Sequence, residues 1–368
     1  MQNLLSPGQA VPWFHGTALS GNPRYGFSTA GGRWILMLLM GSGRDAATQG
    51  ALRLIAENRA LFDDSQACFF GVSIDPQDAA QERIAQQLPG IRWFLDYDHA
   101  ISAQFGAVET QDGRVRYTPH WLLLDPMLRV VRRAGLQDGP SIIDTLRSLT
   151  AAPLPDLNAP VLVVPGVFSP TLCAQLVDLY QREGGEESGF MREEDGMTVV
   201  KVDHRHKRRA DHNIQDPALI GQLKTHMVQT LQPMIRRAFQ FEASRVERFI
   251  IACYDARDGG HFRPHRDNST KGTAHRRFAC TINLNADDYE GGDLCFPEFG
   301  QRTYRAPTGG AVIFSCSLLH EARPVTRGQR YAFLPFFYDD AAARIREQNR
   351  AFLTPELAQY ESGLPPGG

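Results

Sequence analysis

Two histidines and one aspartate form the pattern in this sequence that could hold a metal ion. One residue separates His265 from Asp267 in HFRPHRDN, and His320 ends the apolar stretch AVIFSCSLLH. On an extended backbone, side chains two residues apart face the same way, so His265 and Asp267 can reach one ion. That pair alone carries little weight, because this composition predicts roughly one His-x-Asp/Glu by chance. The prediction therefore depends on His320 and on the residues beyond it in the chain.

A set of two histidines and one carboxylate leaves coordination positions open for a cosubstrate and O2. It suits iron(II) better than structural zinc, whose sites are closed and rich in thiolates. Arg330 lies ten residues after His320, and its fork could bind the distal carboxylate of a chelating keto acid. Tyr254 could add a phenolic hydrogen bond to the same carboxylate. The predicted catalytic metal ligands are His265, Asp267 and His320, and the predicted cosubstrate-binding residues are Tyr254 and Arg330.

These residues, with GGDLCFP (291–297) and PVTRGQR (324–330) between and after them, resemble the prolyl 4-hydroxylase-like branch of the 2-oxoglutarate- and iron(II)-dependent dioxygenases. The resemblance covers about residues 160–340 and implies a double-stranded β-helix, or jelly-roll. It implies Fe(II), 2-oxoglutarate and O2 as cofactors and leaves ascorbate (vitamin C) open. It also implies an enzyme that hydroxylates an unactivated C–H of a peptide, protein or amino-acid substrate, releasing succinate and CO2.

Two other functions stay open at this point. Oxidative demethylases of alkylated nucleic acid bases use the same cofactors, but they place a further arginine six residues after the cosubstrate arginine. This chain has Phe336 there, so nucleic acid is a disfavoured partner. The other alternative is a non-catalytic metal-binding module, which the joint presence of all three ligands and Arg330 disfavours.

Before residue 150 the chain alternates between strand-like and helix-like stretches. The apolar run WILMLLM (34–40) suits a strand buried on both faces. The predicted order is β-α-β-α-β followed by β-β-α, with a second helix near 77–87. Residues 5–150 resemble the thioredoxin/peroxiredoxin fold, which implies a cis-proline at Thr118-Pro119. The family's reactive cysteine is missing from GSGRDAATQGAL, and Cys68 lies within an apolar strand, so we expect a non-catalytic domain.

The whole chain is predicted to be α+β with two domains. A thioredoxin-like α/β domain occupies 1–150, and the proline-rich AAPLPDLNAP (151–160) is a linker. The dioxygenase domain, a jelly-roll with supporting helices that include one near 216–239, occupies 161–345. A C-terminal tail follows at 346–368.

Bulk properties indicate a cytoplasmic protein. The 368 residues carry a formal charge of −2, and six cysteines occur without any Cys-x-x-Cys, as is typical of reduced core thiols. We find no secretory signal, and the longest apolar run is too short to cross a membrane, which needs roughly 20 residues. The basic run HRHKRR (204–209) is either a solvated face or a lid that presents positive charge to an acidic substrate. The oligomeric state stays open.

Overall fold

The computed structural model describes residues 5–111, 114–154, 156–354 and 357. The chain divides into two compact units. The first comprises the residues up to Leu157 together with Pro297–Gln301, and the second comprises Asn158–Phe296 and the residues from Arg302 onward. The assignment of functional domains to 1–150 and 161–345 stays a prediction. Residues 346–354 of the predicted tail are largely helical, and 355, 356 and 358–368 of that tail lie outside the described residues.

The first unit is a mixed sheet with helices. Its strands are β1 (His15–Gly16), β2 (Tyr25–Gly26), β3 (Trp34–Gly41), β4 (Ala67–Ser73), β5 (Ile91–Leu95), β6 (Val108–Gln111), β7 (Arg114–Tyr117), β8 (His120–Leu124) and β9 (Val130–Gly135). Its helices are α1 (Ala46–Glu57), α2 (Pro76–Ala80), α3 (Ala100–Gln104) and α4 (Gly139–Thr150).

The central sheet of this unit has the order β5-β4-β3-β8-β9. Strands β3, β4 and β5 are parallel, and β8 pairs antiparallel with β3 and with β9. Alternate residues of β3 enter two separate hydrophobic clusters, with Met37 in one and Leu38 in the other. Burial on both faces explains why this strand is apolar throughout.

The strands and helices predicted for this unit occur in the predicted order, but the pattern missed β1, β2 and α3, and three further details are wrong. Helix α2 ends at Ala80 instead of near 87, because Glu82 adopts a left-handed φ of 53° that a helix cannot contain. The pattern also missed the hairpin of β6 and β7. The cis peptide bond of the described residues is Leu88–Pro89, and Thr118-Pro119 is not cis.

The second unit carries most of the strands. They are β10 (Leu162–Val164), β11 (Glu186–Glu187), β12 (Phe190–Glu194), β13 (Met197–Lys201), β14 (Lys207–Arg208), β15 (Ala210–Asn213), β16 (Arg245–Glu247), β17 (Ile250–Asp255), β18 (His261–His265), β19 (Phe278–Asn283), β20 (Glu290–Gly291), β21 (Leu294–Cys295), β22 (Thr303–Tyr304), β23 (Ala311–Ser315), β24 (His320–Ala322), β25 (Val325–Arg327), β26 (Gln329–Phe333) and β27 (Phe336–Tyr338). The helices are α5 (Pro170–Glu183), α6 (Pro217–Thr230), α7 (Gln232–Phe239) and α8 (Asp340–Gln348).

Two antiparallel sheets organise this unit. The major sheet has nine strands, with the path β10-β23-β19-β26-β17-β15-β11 and with β16 and β27 attached. The minor sheet has five strands in the order β14-β18-β24-β21-β22. Every strand pair within these two sheets is antiparallel.

Side-chain alternation determines which residues of the major sheet face its helices. Cys253 on β17 and Tyr331 on β26 belong to the hydrophobic cluster that contains buried residues of α5, α6 and α7. Their strand neighbours Tyr254 and Arg330 therefore point to the opposite face. On that face Tyr254 packs with Ala322 of the minor sheet.

Proline breaks two segments that the sequence pattern predicts as continuous. The helix expected over 216–239 is two helices, and Pro233 lies in the first turn of the second, where its missing N–H is tolerated. Pro335 lies between β26 and β27 in the stretch RYAFLPFFYD. No helix in the described part of the chain is long and apolar enough to span a bilayer.

Candidate metal centre

The three predicted metal ligands come together on the minor sheet. His265 ends β18 and His320 begins β24, and the two residues are direct cross-strand partners. Asp267 lies in the turn after β18, where its N–H donates to Cys316 O at 3.0 Å. One potential ligand atom from each residue lies within 4.8 Å of the other two. The expected extended backbone through Asp267 is wrong, but the turn still brings its carboxylate to the histidines.

Both imidazoles are oriented by carbonyl groups close to them in the chain. His265 Nδ1 lies 2.8 Å from Arg263 O, and His320 Nδ1 lies 3.0 Å from Leu318 O. Because a carbonyl oxygen only accepts, each Nδ1 must carry the proton and each Nε2 keeps its lone pair. The two Nε2 atoms face Asp267, at 3.6 Å and 3.3 Å from its carboxylate oxygens. This is the arrangement that metal-binding histidines require.

The electrostatics of the cluster favour the metal-binding protonation states. Burial, reinforced by the neighbouring His320, lowers the pKa of His265 to about 4. Burial alone would raise the pKa of Asp267, but His320 and His265 hold it well below its usual range. At neutral pH the cluster therefore offers a neutral imidazole at His265 and an ionised carboxylate, which is what a divalent cation needs.

Aromatic rings cover the cluster. The Phe262 ring stacks on His265 with centroids 3.5 Å apart, and the Phe314 ring lies 4.6 Å from that of His320. Such walls limit access of water to a metal held there.

Arg330 and Tyr254 face one another across two strands of the major sheet. They are direct partners in the β17–β26 pairing, and they are 2% and 4% exposed. The Arg330 guanidinium carbon lies 5.1 Å from the centre of the Tyr254 ring. Within the described residues, Nε and Nη1 of Arg330 find no hydrogen-bond partner.

The unpartnered N–H groups of Arg330 indicate whether a 2-oxo diacid fits the site. A buried guanidinium without an acceptor is costly, and a carboxylate is its natural bidentate partner. The GGDLCFP motif leaves room beside it, because a side chain at Gly292 would come within 3.1 Å of Arg330 Cδ. The residues present thus fit iron(II) at the histidine–aspartate cluster and a carboxylate at Arg330.

The basic run 204–209 is divided between the surface and the interior: His204, Arg205 and Arg208 are exposed, whereas Lys207 and the Arg209 side chain are buried. Lys207 is 5% exposed, and its ammonium donates to Ser188 Oγ at 2.7 Å and to Gly189 O at 2.5 Å. The Arg209 side chain is also 5% exposed and donates to Tyr254 Oη at 3.3 Å. From the sequence, this burial could have been predicted only from the alternation of side chains along a strand, with Lys207 and Arg209 pointing inward and Arg208 outward. The alternation is not visible in the sequence, because every residue of the run is polar.

The first unit offers no activated thiol in the described residues. Burial raises the pKa of Cys68, the one cysteine among the described residues of this unit, to about 12. In the loop after β3, the Gly43 N–H donates to both carboxylate oxygens of Asp78, at 3.0 Å and 2.8 Å. That this domain is non-catalytic stays a prediction.

Known proteins resemble the part of the chain that contains this site. The family described as the 2OG-Fe(II) oxygenase superfamily matches residues 249–338. A "PKHD-type hydroxylase" of Pseudomonas putida (strain KT2440) is 30% identical over 204 residues, which is 52% of this chain and 83% of the relative. A second one, of Verminephrobacter eiseniae, is 35% identical over 106 residues, which is 27% of this chain and 46% of that relative. The chain thus spans less than half of the latter.

Solved structures that resemble the chain fall into two groups. A prolyl-4-hydroxylase of Pseudomonas putida aligns with a TM-score of 0.38 and 17% identity, covering 54% of this chain and 98% of that one. The peroxidoxin BcpB of Mycobacterium tuberculosis aligns with a TM-score of 0.34 and 15% identity, covering 40% and 97%. The family follows from the sequence match to the PKHD-type hydroxylase of Pseudomonas putida, which is 30% identical and covered to 83% of its length. This chain belongs to the 2-oxoglutarate- and iron(II)-dependent oxygenase superfamily.

Proposed function

We propose that this chain is an iron(II)- and 2-oxoglutarate-dependent dioxygenase that hydroxylates a C–H bond of a peptide, protein or amino acid. The observation that carries the proposal is that Nε and Nη1 of the buried Arg330 find no partner among the described residues, together with the cluster of His265, Asp267 and His320. The relatives named as PKHD-type hydroxylases support it. Iron(II), 2-oxoglutarate and O2 supply the oxidising chemistry when bound, with succinate and CO2 as products.

Each part of the chain has a defined task in this proposal. The two histidines and Asp267 hold the metal through Nε2 and carboxylate atoms that are already oriented. Arg330 and Tyr254 bind and orient the distal carboxylate of 2-oxoglutarate. Phe262 and Phe314 exclude water from the ligands. The two antiparallel sheets that position these groups are proposed to form a double-stranded β-helix.

The contacts of Phe336 give no support to base demethylation. Its ring is buried in β27, and the Arg276 guanidinium carbon lies 4.0 Å from the ring centre. The position where base demethylases place an arginine is therefore filled by a packed aromatic side chain.

The proposal is tested by adding iron(II) and 2-oxoglutarate to the protein without oxygen. An intact site gives a visible charge-transfer band, whereas a degenerate binding module gives none. Turnover of 2-oxoglutarate against a panel of peptides, amino acids and cell extract then identifies the substrate class.

Variants of the ligands make the same test specific. His265→Ala and Asp267→Ala each remove one of three protein ligands, so both should lose iron and the band while keeping the native circular dichroism spectrum. His204→Ala, at an exposed histidine, is the matched control and should retain both. Normal iron content in His265→Ala and Asp267→Ala would refute the assignment.

A further inference from the structure

A single residue connects the two sheets at the candidate site. Strand β14 pairs with the metal-ligand strand β18, and β15 pairs with β17, the strand of Tyr254. Arg209 is the one residue between β14 and β15. Its side chain therefore starts where the chain passes from the minor sheet to the major sheet.

The guanidinium of Arg209 has a defined set of contacts. Nη1 donates to Tyr254 Oη at 3.3 Å, and Nη2 donates to Asp211 Oδ2 at 2.7 Å and to Ser188 Oγ at 3.3 Å. Its carbon lies 5.7 Å from the centre of the Tyr254 ring. Two arginines, Arg209 and Arg330, thus flank one phenol.

The hydrogen bond from Arg209 determines what the Tyr254 hydroxyl can do. A hydroxyl group has one proton to donate, and a guanidinium only donates. Tyr254 Oη must therefore accept from Arg209, which leaves its own proton for another acceptor. None of the described residues supplies that acceptor, and Nε and Nη1 of Arg330 also find none there.

Two arginines near Tyr254 share one carboxylate. Asp211 Oδ2 is shared by Arg209 and by Arg248, whose Nη2 lies 3.3 Å away. Two guanidinium groups thus face one carboxylate, and Arg330 adds a third cation next to the phenol. An anion placed against the Tyr254 hydroxyl would be favoured both by the hydrogen bonds and by this charge.

We propose that Arg209 is a positioning residue for cosubstrate selectivity: it holds the Tyr254 hydroxyl as a hydrogen-bond donor to the distal carboxylate of 2-oxoglutarate. The inference rests on the proposed function and adds to it a residue from outside the metal and cosubstrate strands. Arg209 acts through Tyr254, so its effect should be confined to acids that carry the distal carboxylate.

The test compares two 2-oxo acids on the iron(II)-loaded protein without oxygen, followed by the charge-transfer band. Pyruvate shares the chelating end of 2-oxoglutarate but lacks the distal carboxylate. Arg209→Gln should weaken 2-oxoglutarate binding by roughly 10-fold to 100-fold, the value of a hydrogen bond to a charged group, and change pyruvate binding little. Arg208→Gln, at the neighbouring exposed position, should alter neither. Equal weakening of both acids in Arg209→Gln would reduce Arg209 to a structural role and overturn the proposal.

A double-mutant cycle tests whether the effect passes through the phenol. In a Tyr254→Phe background, Arg209→Gln should cost much less 2-oxoglutarate affinity than in the parent, because the hydroxyl it positions is gone. Arg209→Lys should recover part of the affinity in the parent, since the charge stays but one ammonium cannot match the fork. Fully additive losses would contradict the coupling.

A second variant serves as the control for folding. Arg209→Gln/Asp211→Asn removes the buried charge pair together, so no carboxylate is left without its partner, and the same two acids are compared if the single variant does not fold. Absence of a 2-oxoglutarate band in the parent overturns the proposed function and this inference with it. A normal parent band with unchanged 2-oxoglutarate affinity in both Arg209 variants overturns this inference alone.

Discussion

At the scale of single residues, Arg330 is a buried side chain with unsatisfied hydrogen-bond donors. Two of its nitrogens are buried without acceptors among the described residues. Arg330→Ala should leave iron binding intact and lower 2-oxoglutarate affinity steeply, because a bound carboxylate would lose a partner worth roughly 2–5 kcal/mol. Arg330→Lys should recover part of the loss. Anaerobic titration of the charge-transfer band measures both, and unchanged affinity in Arg330→Ala would refute the cosubstrate role.

His120 of β8 provides a prediction about pH. Burial lowers its pKa to about 4, against 6.5 for the free side chain. Between pH 6.5 and 4 the unfolded chain binds a proton at His120 that the folded chain does not. The free energy of unfolding therefore falls as the pH falls through this window. At pH 5 the loss should be roughly 1–2 kcal/mol.

The variant His120→Gln removes this titration and should flatten the pH dependence. The measurement is the midpoint of urea unfolding at pH 7 and at pH 5 in parent and variant. His204→Gln, at an exposed histidine, is the control. An equal drop in parent and His120→Gln would show that His120 does not contribute.

The sequence was sufficient to predict that His265, Asp267 and His320 form a cluster, but not that Arg209 contacts Tyr254. His265, Asp267, His320 and Arg330 were predictable because their types and spacing have a specific chemical use. Arg209 was not, because its burial depends on the pairing of the neighbouring strands with β17 and β18, which lie about 40–55 residues further along the chain.

At the scale of elements, glycine determines how the turn before β23 packs. Gly309 has a φ of 76°, and a Cβ there would lie 2.1 Å from the backbone oxygen of Phe168. Gly196, in the turn between β12 and β13, has a φ of 78° but nothing within 4 Å of a Cβ. The two glycines therefore share the same conformational demand and differ in packing.

Replacing each glycine by alanine separates these effects. Gly196→Ala should cost about 1 kcal/mol from the left-handed conformation alone. Gly309→Ala should cost about 1–3 kcal/mol more, because the Phe168 backbone must move. Chemical denaturation of both variants gives the difference, and equal losses would show that the contact at Phe168 is easily relieved.

The apolar and alternating patterns predicted strand existence well and strand limits poorly. The fully buried β3 was predictable from its composition. Its pairing partners were not, and neither were the short strands β20, β24 and β25, which have two or three residues each and too little pattern to detect.

At the scale of the whole molecule, we expect the first unit to contribute no redox chemistry. With a thiol pKa of about 12, Cys68 is almost entirely protonated at neutral pH, and the thiolate is the reactive form. The full chain should therefore not consume hydrogen peroxide through this cysteine. Cys68→Ser should leave 2-oxoglutarate turnover unchanged. Peroxide consumption that disappears in Cys68→Ser would contradict this view of the unit.

The pairing of His265 with His320 has a further consequence for chain entropy. The two residues are neighbours across β18 and β24, although about 50 residues of chain separate them. An ion bound to both would act as a crosslink that closes this long loop, and it would stabilise the folded state by mass action. Chelation should therefore lower the melting temperature and speed amide hydrogen exchange in β18 and β24 more than in β3. Equal acceleration of hydrogen exchange in all three strands would show that the bound ion does not crosslink β18 and β24.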